Sequence, residues 1–224
     1  MTGALGWGAL AASSLVIGAL LGISRRWPDV LIGLVLAFGA GALISAVSFD
    51  LAEEGVNVGG GAAVAGGLAI GALTYWGASH ALPDSGGTAL ALGAFLDGIP
   101  EQAVLGIGLA SGEGVSVGLL AAIFVSNLPE AIGSASDMQA PKRRIIALWV
   151  AVAVVCTIST VAGYAIADVT GGTLRAGIDG FAAGALLVML IDSMIPDARA
   201  KGGAKAGLAT VLGFAVAFGL TAME

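Results

Sequence analysis

Apolar residues follow one another along this chain in runs of about twenty, and short polar stretches separate the runs. A helix of ~20 apolar residues, rising ~1.5 Å per residue, crosses the ~30 Å hydrocarbon layer of a bilayer. Runs of that length fall at 3–23, 30–49, 59–79, 88–110, 116–138, 145–167, 175–195 and 205–223. Polar breaks stand between them at Ser24–Asp29, Asp50–Val58, His80–Gly87, Ser111–Val115, Gln139–Arg144, Asp168–Leu174 and Pro196–Ala204. The pattern predicts an all-α membrane protein of eight transmembrane helices, forming a single domain over 1–224. Unbroken runs argue against the alternation of a membrane barrel, and an open sheet cannot satisfy its backbone in lipid.

Composition agrees with this pattern. Apolar types make up 58% of the 224 residues and charged types 11%, too few to cover a soluble domain with a polar shell. The 37 glycines fit helices that approach closely through small residues. Glycine-rich spans 2 and 3 invite a homodimer interface, although the same glycines could pack helices within one subunit. A net charge of -6 argues against a nucleic-acid partner and leaves the lipid bilayer as the main surroundings.

Basic residues set the orientation. Arg25, Arg26, Lys142, Arg143, Arg144, Arg199, Lys201 and Lys205 fall in odd-numbered loops, and only Arg175 falls on the other side. The positive-inside rule then places both termini outside a cell membrane crossed many times.

Two pairs of segments echo each other. Phe38-Gly39-Ala40-Gly41-Ala42-Leu43-Ile44 in span 2 resembles Phe181-Ala182-Ala183-Gly184-Ala185-Leu186-Leu187 in span 7, and an acid follows each, Asp50 and Asp192. Asp97-Gly98-Ile99-Pro100-Glu101 in span 4 resembles Ser126-Asn127-Leu128-Pro129-Glu130 in span 5. Both pairs run antiparallel, so a 3+2+3 inverted-repeat arrangement accounts for both. Inverted repeats around a midplane site are a trait of secondary transporters.

The candidate chemistry lies in acids planted inside these spans. A charge at bilayer depth costs at least ~2.5–3.5 kcal/mol on insertion scales. Asp97 and Glu101 are one turn apart on span 4; Ser126 and Glu130 are one turn apart on span 5. Each motif glutamate follows a proline, which frees the carbonyl one turn earlier. Neither span holds Lys, Arg or His, so the acids are protonated, hydrogen-bonded for packing, or partnered by a cation. Glu53 and Glu54 suit a vestibule or a wet loop equally. Asp137 and Asp197 suit the surface, and His80 a solvated loop. The single histidine leaves no Ser-His or Cys-His pair, no span has a lysine in its interior for a Schiff base, and no enzyme is expected.

These motifs resemble the ZIP family of divalent-metal transporters, particularly its bacterial GufA-like branch, over most of the chain. Span 4 of that family typically reads His-Asn-x-Pro-Glu-Gly, matched here by Asp97 to Gln102. Its span 5 motif is matched by Ser126 to Glu130, with Gly133 beyond, and its span 7 by Gly180–Leu187, Asp192 and Ile195-Pro196-Asp197. The resemblance implies transport of a divalent metal ion (Zn, Mn, Fe, Co or similar) into the cytoplasm. It implies rocking of spans 1, 4, 5 and 6 against the rest. It maps a main metal site onto Asp97, Glu101, Ser126 and Glu130, and a second onto Gly98, Asn127, Glu130 and Asp192. The histidines of that motif are absent here, and Gly98 offers no side chain. The remaining all-oxygen set suits Mn, Mg, Ca or ferrous iron better than Zn. The alternatives are a proton- or monovalent-cation-coupled permease for another solute and a metal-binding membrane sensor or scaffold.

Overall fold

A computed structural model describes residues 2–81, 87–110, 117–168 and 171–222, less the side chains of residues 87–94, 96, 97, 137 and 168. All secondary structure among the described residues is helical. We label the helices α1 (Thr2–Ser24), α2 (Asp29–Gly59), α3 (Gly61–His80), α4 (Gly87–Ala110), α5 (Val117–Asp137), α6 (Lys142–Asp168), α7 (172–202) and α8 (Ala206–Thr221). Six stretches among the described residues are long and apolar enough to cross a membrane: Thr2–Ser24, Asp29–Gly59, Gly61–His80, Val117–Ser136, Lys142–Ala167 and Gly172–Thr221. The last of these comprises α7 and α8, which divide at Gly203.

Two expected polar breaks are helical instead. α2 runs through Asp50–Val58 by way of a π-helical segment, Val47–Glu53, and continues to Gly59. α7 has the same construction: α-helix Gly172–Met189, π-helical Leu190–Met194, then α-helix Ile195–Gly202. Acids therefore do not end either helix. In α7 the cause of the widened turn is legible, because Pro196 has no N–H to give the Asp192 carbonyl four residues back. No proline accounts for the π segment of α2. Both helices stop at glycines in positive φ, Gly60 at 93° and Gly203 at 63°, a conformation that a side chain would oppose. At ~1.5 Å per residue the 31-residue α2 is about 46 Å long, so it tilts or projects beyond the apolar layer.

Small residues decide which helices touch. α1 packs along α5, where a Cβ at Gly18 would stand 2.6 Å from the Leu128 carbonyl and one at Gly22 would stand 3.2 Å from Ala135 Cβ. α6 packs along α4, through Gly98 against Cys156 and Gly106 against the Thr160 backbone. Residue numbers rise together in both pairs, so each pair is parallel. One core cluster closes this side of the molecule, with Leu15, Ala19, Ala131, Trp149 and Cys156 fully buried from α1, α5 and α6.

On the other side, Gly41 of α2 abuts the Thr210 backbone of α8, and Gly213 of α8 abuts the Phe38 backbone. Gly184 of α7 likewise abuts Leu68 of α3, and Gly71 of α3 abuts Phe181. α2 and α7 meet twice, antiparallel, at Gly33 with Gly202 and at Gly59 with Gly172. These glycines of spans 2 and 3 thus serve contacts within the subunit, while Gly66 and Gly77 of α3 have nothing within 4 Å. The two groups of helices cross where α2 meets α5 and where α7 meets α4.

Candidate functional site

The crossings place the site. α5 carries Ser126 against α2, where a Cβ at Gly39 would stand 2.8 Å from Ser126 Cα. This close approach leaves Ser126 wholly buried, and its hydroxyl donates to the Ile123 carbonyl at 3.0 Å. The same hydroxyl stands 3.5 Å from Glu101 Oε1 on α4, at the outer limit of a hydrogen bond. Glu101 is 1% exposed although its helix lies in the apolar part of the molecule. The structure therefore brings together the span 4 glutamate and the first residue of the span 5 motif, 25 positions apart.

Glu130 is half-buried on the next turn of α5. Cys156 of α6 feels the charge of both Glu101 and Glu130, and α4 packs on α5, but these three side chains are not spaced to share a metal ion. Pro100 and Pro129 both lie inside unbroken helices. Each withdraws one backbone donor, leaving the carbonyl four residues earlier, Val125 in the case of Pro129, without its helical partner. A carboxylate and a spare carbonyl on adjacent turns form an oxygen-rich patch suited to a hard cation.

Asn127 is also buried, 1% exposed, and its Nδ2 has no hydrogen-bond partner among the described residues. Gln102, adjacent to Glu101, accepts from the Thr160 hydroxyl of α6 at 2.7 Å and ties the Pro-Glu part of α4 to that helix. Sequence reasoning passed over Gln102; its place beside the Pro-Glu turn was the available signal.

The other expected ligands stand differently. The Asp97 side chain lies outside the described residues. Asp192 is exposed on the π segment of α7, whereas Glu101, Ser126 and Asn127 are buried. Gly98 faces α6, and a Cβ there would stand 2.7 Å from Cys156 Sγ. That position has room for neither a ligand side chain nor a methyl group unless Cys156 moves. Among the described residues, no group of three or more His, Cys, Asp or Glu is spaced to hold a metal ion. His80 ends α3 rather than lying in a loop; it is exposed and its Nδ1 is 2.8 Å from the Trp76 carbonyl. Glu53 and Asp197 are exposed and Glu54 is half-buried.

A second charged cluster lies where α7 crosses α4. Arg175 Nε is 3.9 Å from Asp179 Oδ2 one turn on, and Asp179 is 1% exposed. Arg175 Nη2 donates to the Ile107 carbonyl of α4 at 3.5 Å, linking the two helix groups. An apolar cleft of about 330 Å³ runs beside this link, lined by Tyr75, Ile99, Pro100, Ile107, Phe181 and Ala185 among others. Pro100 thus faces the cleft, while Glu101 next to it is buried. Compared with known proteins, the chain matches no family model and no curated protein.

Proposed function

We propose that this protein is a divalent metal cation transporter that carries its cargo into the cytoplasm through a carboxylate-lined site at mid-membrane depth. The observation that carries the reading is the buried Glu101 of α4 lying against Ser126 of α5, with Glu130 in the same electrostatic neighbourhood. Carboxylate, hydroxyl, amide and carbonyl oxygens are ligands for Mn, Mg, Ca or ferrous iron. The resemblance of Asp97–Gln102 and Ser126–Glu130 to ZIP transporters points to the same cargo. On this reading Glu101 and Glu130 bind the ion, and Ser126, Asn127 and Asp97 complete its shell. Asp192, exposed on the α7 π segment, serves entry or exit.

We place eight crossings in the cell membrane, with both termini outside and a 3+2+3 inverted repeat. Matched contacts support the repeat. The pairs Gly41–Thr210 and Gly213–Phe38 correspond to Gly184–Leu68 and Gly71–Phe181 at nearly constant sequence offset. The π segments of α2 and α7 begin nine residues after Phe38 and Phe181 respectively. Transport follows from the division into two groups: α1, α4, α5 and α6 rock against α2, α3, α7 and α8, exposing the site to either side in turn.

Purified protein in vesicles tests this by uptake of Mn²⁺, Fe²⁺, Co²⁺ and Zn²⁺. The expected result is saturable accumulation of at least one ion, lost in Glu101→Gln and Glu130→Gln. Uptake unchanged in the double variant contradicts the ligand assignment. Flux driven by pH and persisting under chelation points to a proton-coupled permease, and binding without accumulation points to a sensor.

A further inference from the structure

Seven of the nine Lys and Arg residues are exposed; Arg175 and Lys201 are half-buried. Asp179 and the Ile107 carbonyl account for Arg175. The Lys201 side chain has no ion pair or hydrogen bond among the described residues, so its burial has another cause. The cause is the way α7 ends. Gly33 of α2 packs directly on the backbone of Lys201 and Gly202, where a Cβ at Gly33 would stand 2.7 Å from Lys201 Cβ. This contact fixes the last turn of α7 and turns the lysine stem toward α5. Its Nζ then stands 3.3 Å from the position a Cβ would take at Gly133.

Gly133 follows Glu130 by three residues, and such positions share a helix face with Cβ atoms ~5–6 Å apart. The ammonium therefore stands over Gly133, 3.3 Å from where its Cβ would be, one turn from Glu130. Neither α4 nor α5 contains a basic residue of its own. The charge that the two spans lack is supplied from α7, across the boundary between the two helix groups.

We propose that Lys201 is a tethered countercharge for the cation site, weakening cargo binding and keeping positive charge beside Glu130 after the cargo leaves. The inference rests on the divalent-cation reading above. A divalent ion near a fixed ammonium is repelled through a medium of low dielectric constant, so its dwell time shortens. Carboxylates left at bilayer depth by a departing ion are costly, and a lysine on a flexible stem can follow them. Lys201 thus sets how tightly the site holds its cargo and is itself no ligand.

Mn²⁺ titration of the full chain in detergent, read from the paramagnetic resonance signal of free Mn²⁺, tests this. Lys201→Met is expected to bind Mn²⁺ about tenfold tighter than the wild type, and Lys201→Arg to stay within about twofold of it. Gly133→Ala, whose methyl group would stand 3.3 Å from the ammonium and press it back by a few tenths of an ångström, is expected to tighten binding in the same direction and by less. A lysine serving only to pack α7 on α5 predicts unchanged or weaker binding in Lys201→Met. Wild-type binding with no tightening in Lys201→Met or Gly133→Ala overturns the countercharge and leaves the cation reading standing. No Mn²⁺ binding by any of these proteins overturns both.

Discussion

Glu101 carries the account at the scale of single residues. A carboxylate with 1% exposure is retained among packed apolar helices only if something offsets the cost of removing its charge from water. Glu101→Gln keeps shape and hydrogen-bonding capacity while removing the charge. It is expected to weaken Mn²⁺ binding by about 100-fold or more without lowering thermal stability, since even supporting residues at metal sites contribute ~10–100-fold. Calorimetric titration and a melting curve on the same preparation check both parts. Gly98 permits a sharper test. Gly98→Asn, which would supply the ligand type missing from the second site, should destabilise the protein by about 1–3 kcal/mol, because its Cβ falls 2.7 Å from Cys156 Sγ. Adding Cys156→Ala should recover most of the loss, and a double-mutant cycle of denaturation midpoints measures the recovery.

At the scale of helices, the prolines and glycines separate shape from stability. Pro129→Ala restores a donor to the Val125 carbonyl and removes a free acceptor from the site. The expected result is a fold at least as stable as the wild type with transport reduced about tenfold or more, measured by melting and by vesicle uptake. Gly184→Leu should cost stability heavily, since its Cβ would fall on the Leu68 backbone, whereas Gly66→Leu on an open face of α3 should be nearly neutral. Pro-Glu turns were legible in the sequence because a proline and an acid inside an apolar run are local signals. Helix ends were less legible. Asp50, Glu53 and Glu54 look like a loop, yet α2 passes through them, because a helix that projects beyond the apolar layer tolerates acids and stops only where Gly60 takes a positive φ. The approach of Lys201 to Gly133 and of Gly98 to Cys156 depends on how helices dozens of residues apart cross, which no local pattern encodes.

At the scale of the whole molecule, the transport reading makes the two helix groups and their crossings the parts that move. Arg175 spans them, paired with Asp179 on its own helix and bonded to the Ile107 carbonyl of α4. Leaving the buried Asp179 carboxyl without its half-buried partner costs about 1–3 kcal/mol. Arg175→Gln should therefore be destabilising, and Arg175→Gln with Asp179→Asn much less so than the sum of the two. Denaturation of all three variants settles that comparison. The central claim concerns a single cation held between α4 and α5, and anomalous diffraction from Mn²⁺-soaked crystals tests it most directly. The account predicts a manganese peak about 2.0–2.6 Å from carboxylate oxygens of both Glu101 and Glu130. A peak confined to the exposed acids Asp192 or Asp197, with none between the two Pro-Glu turns, would contradict it.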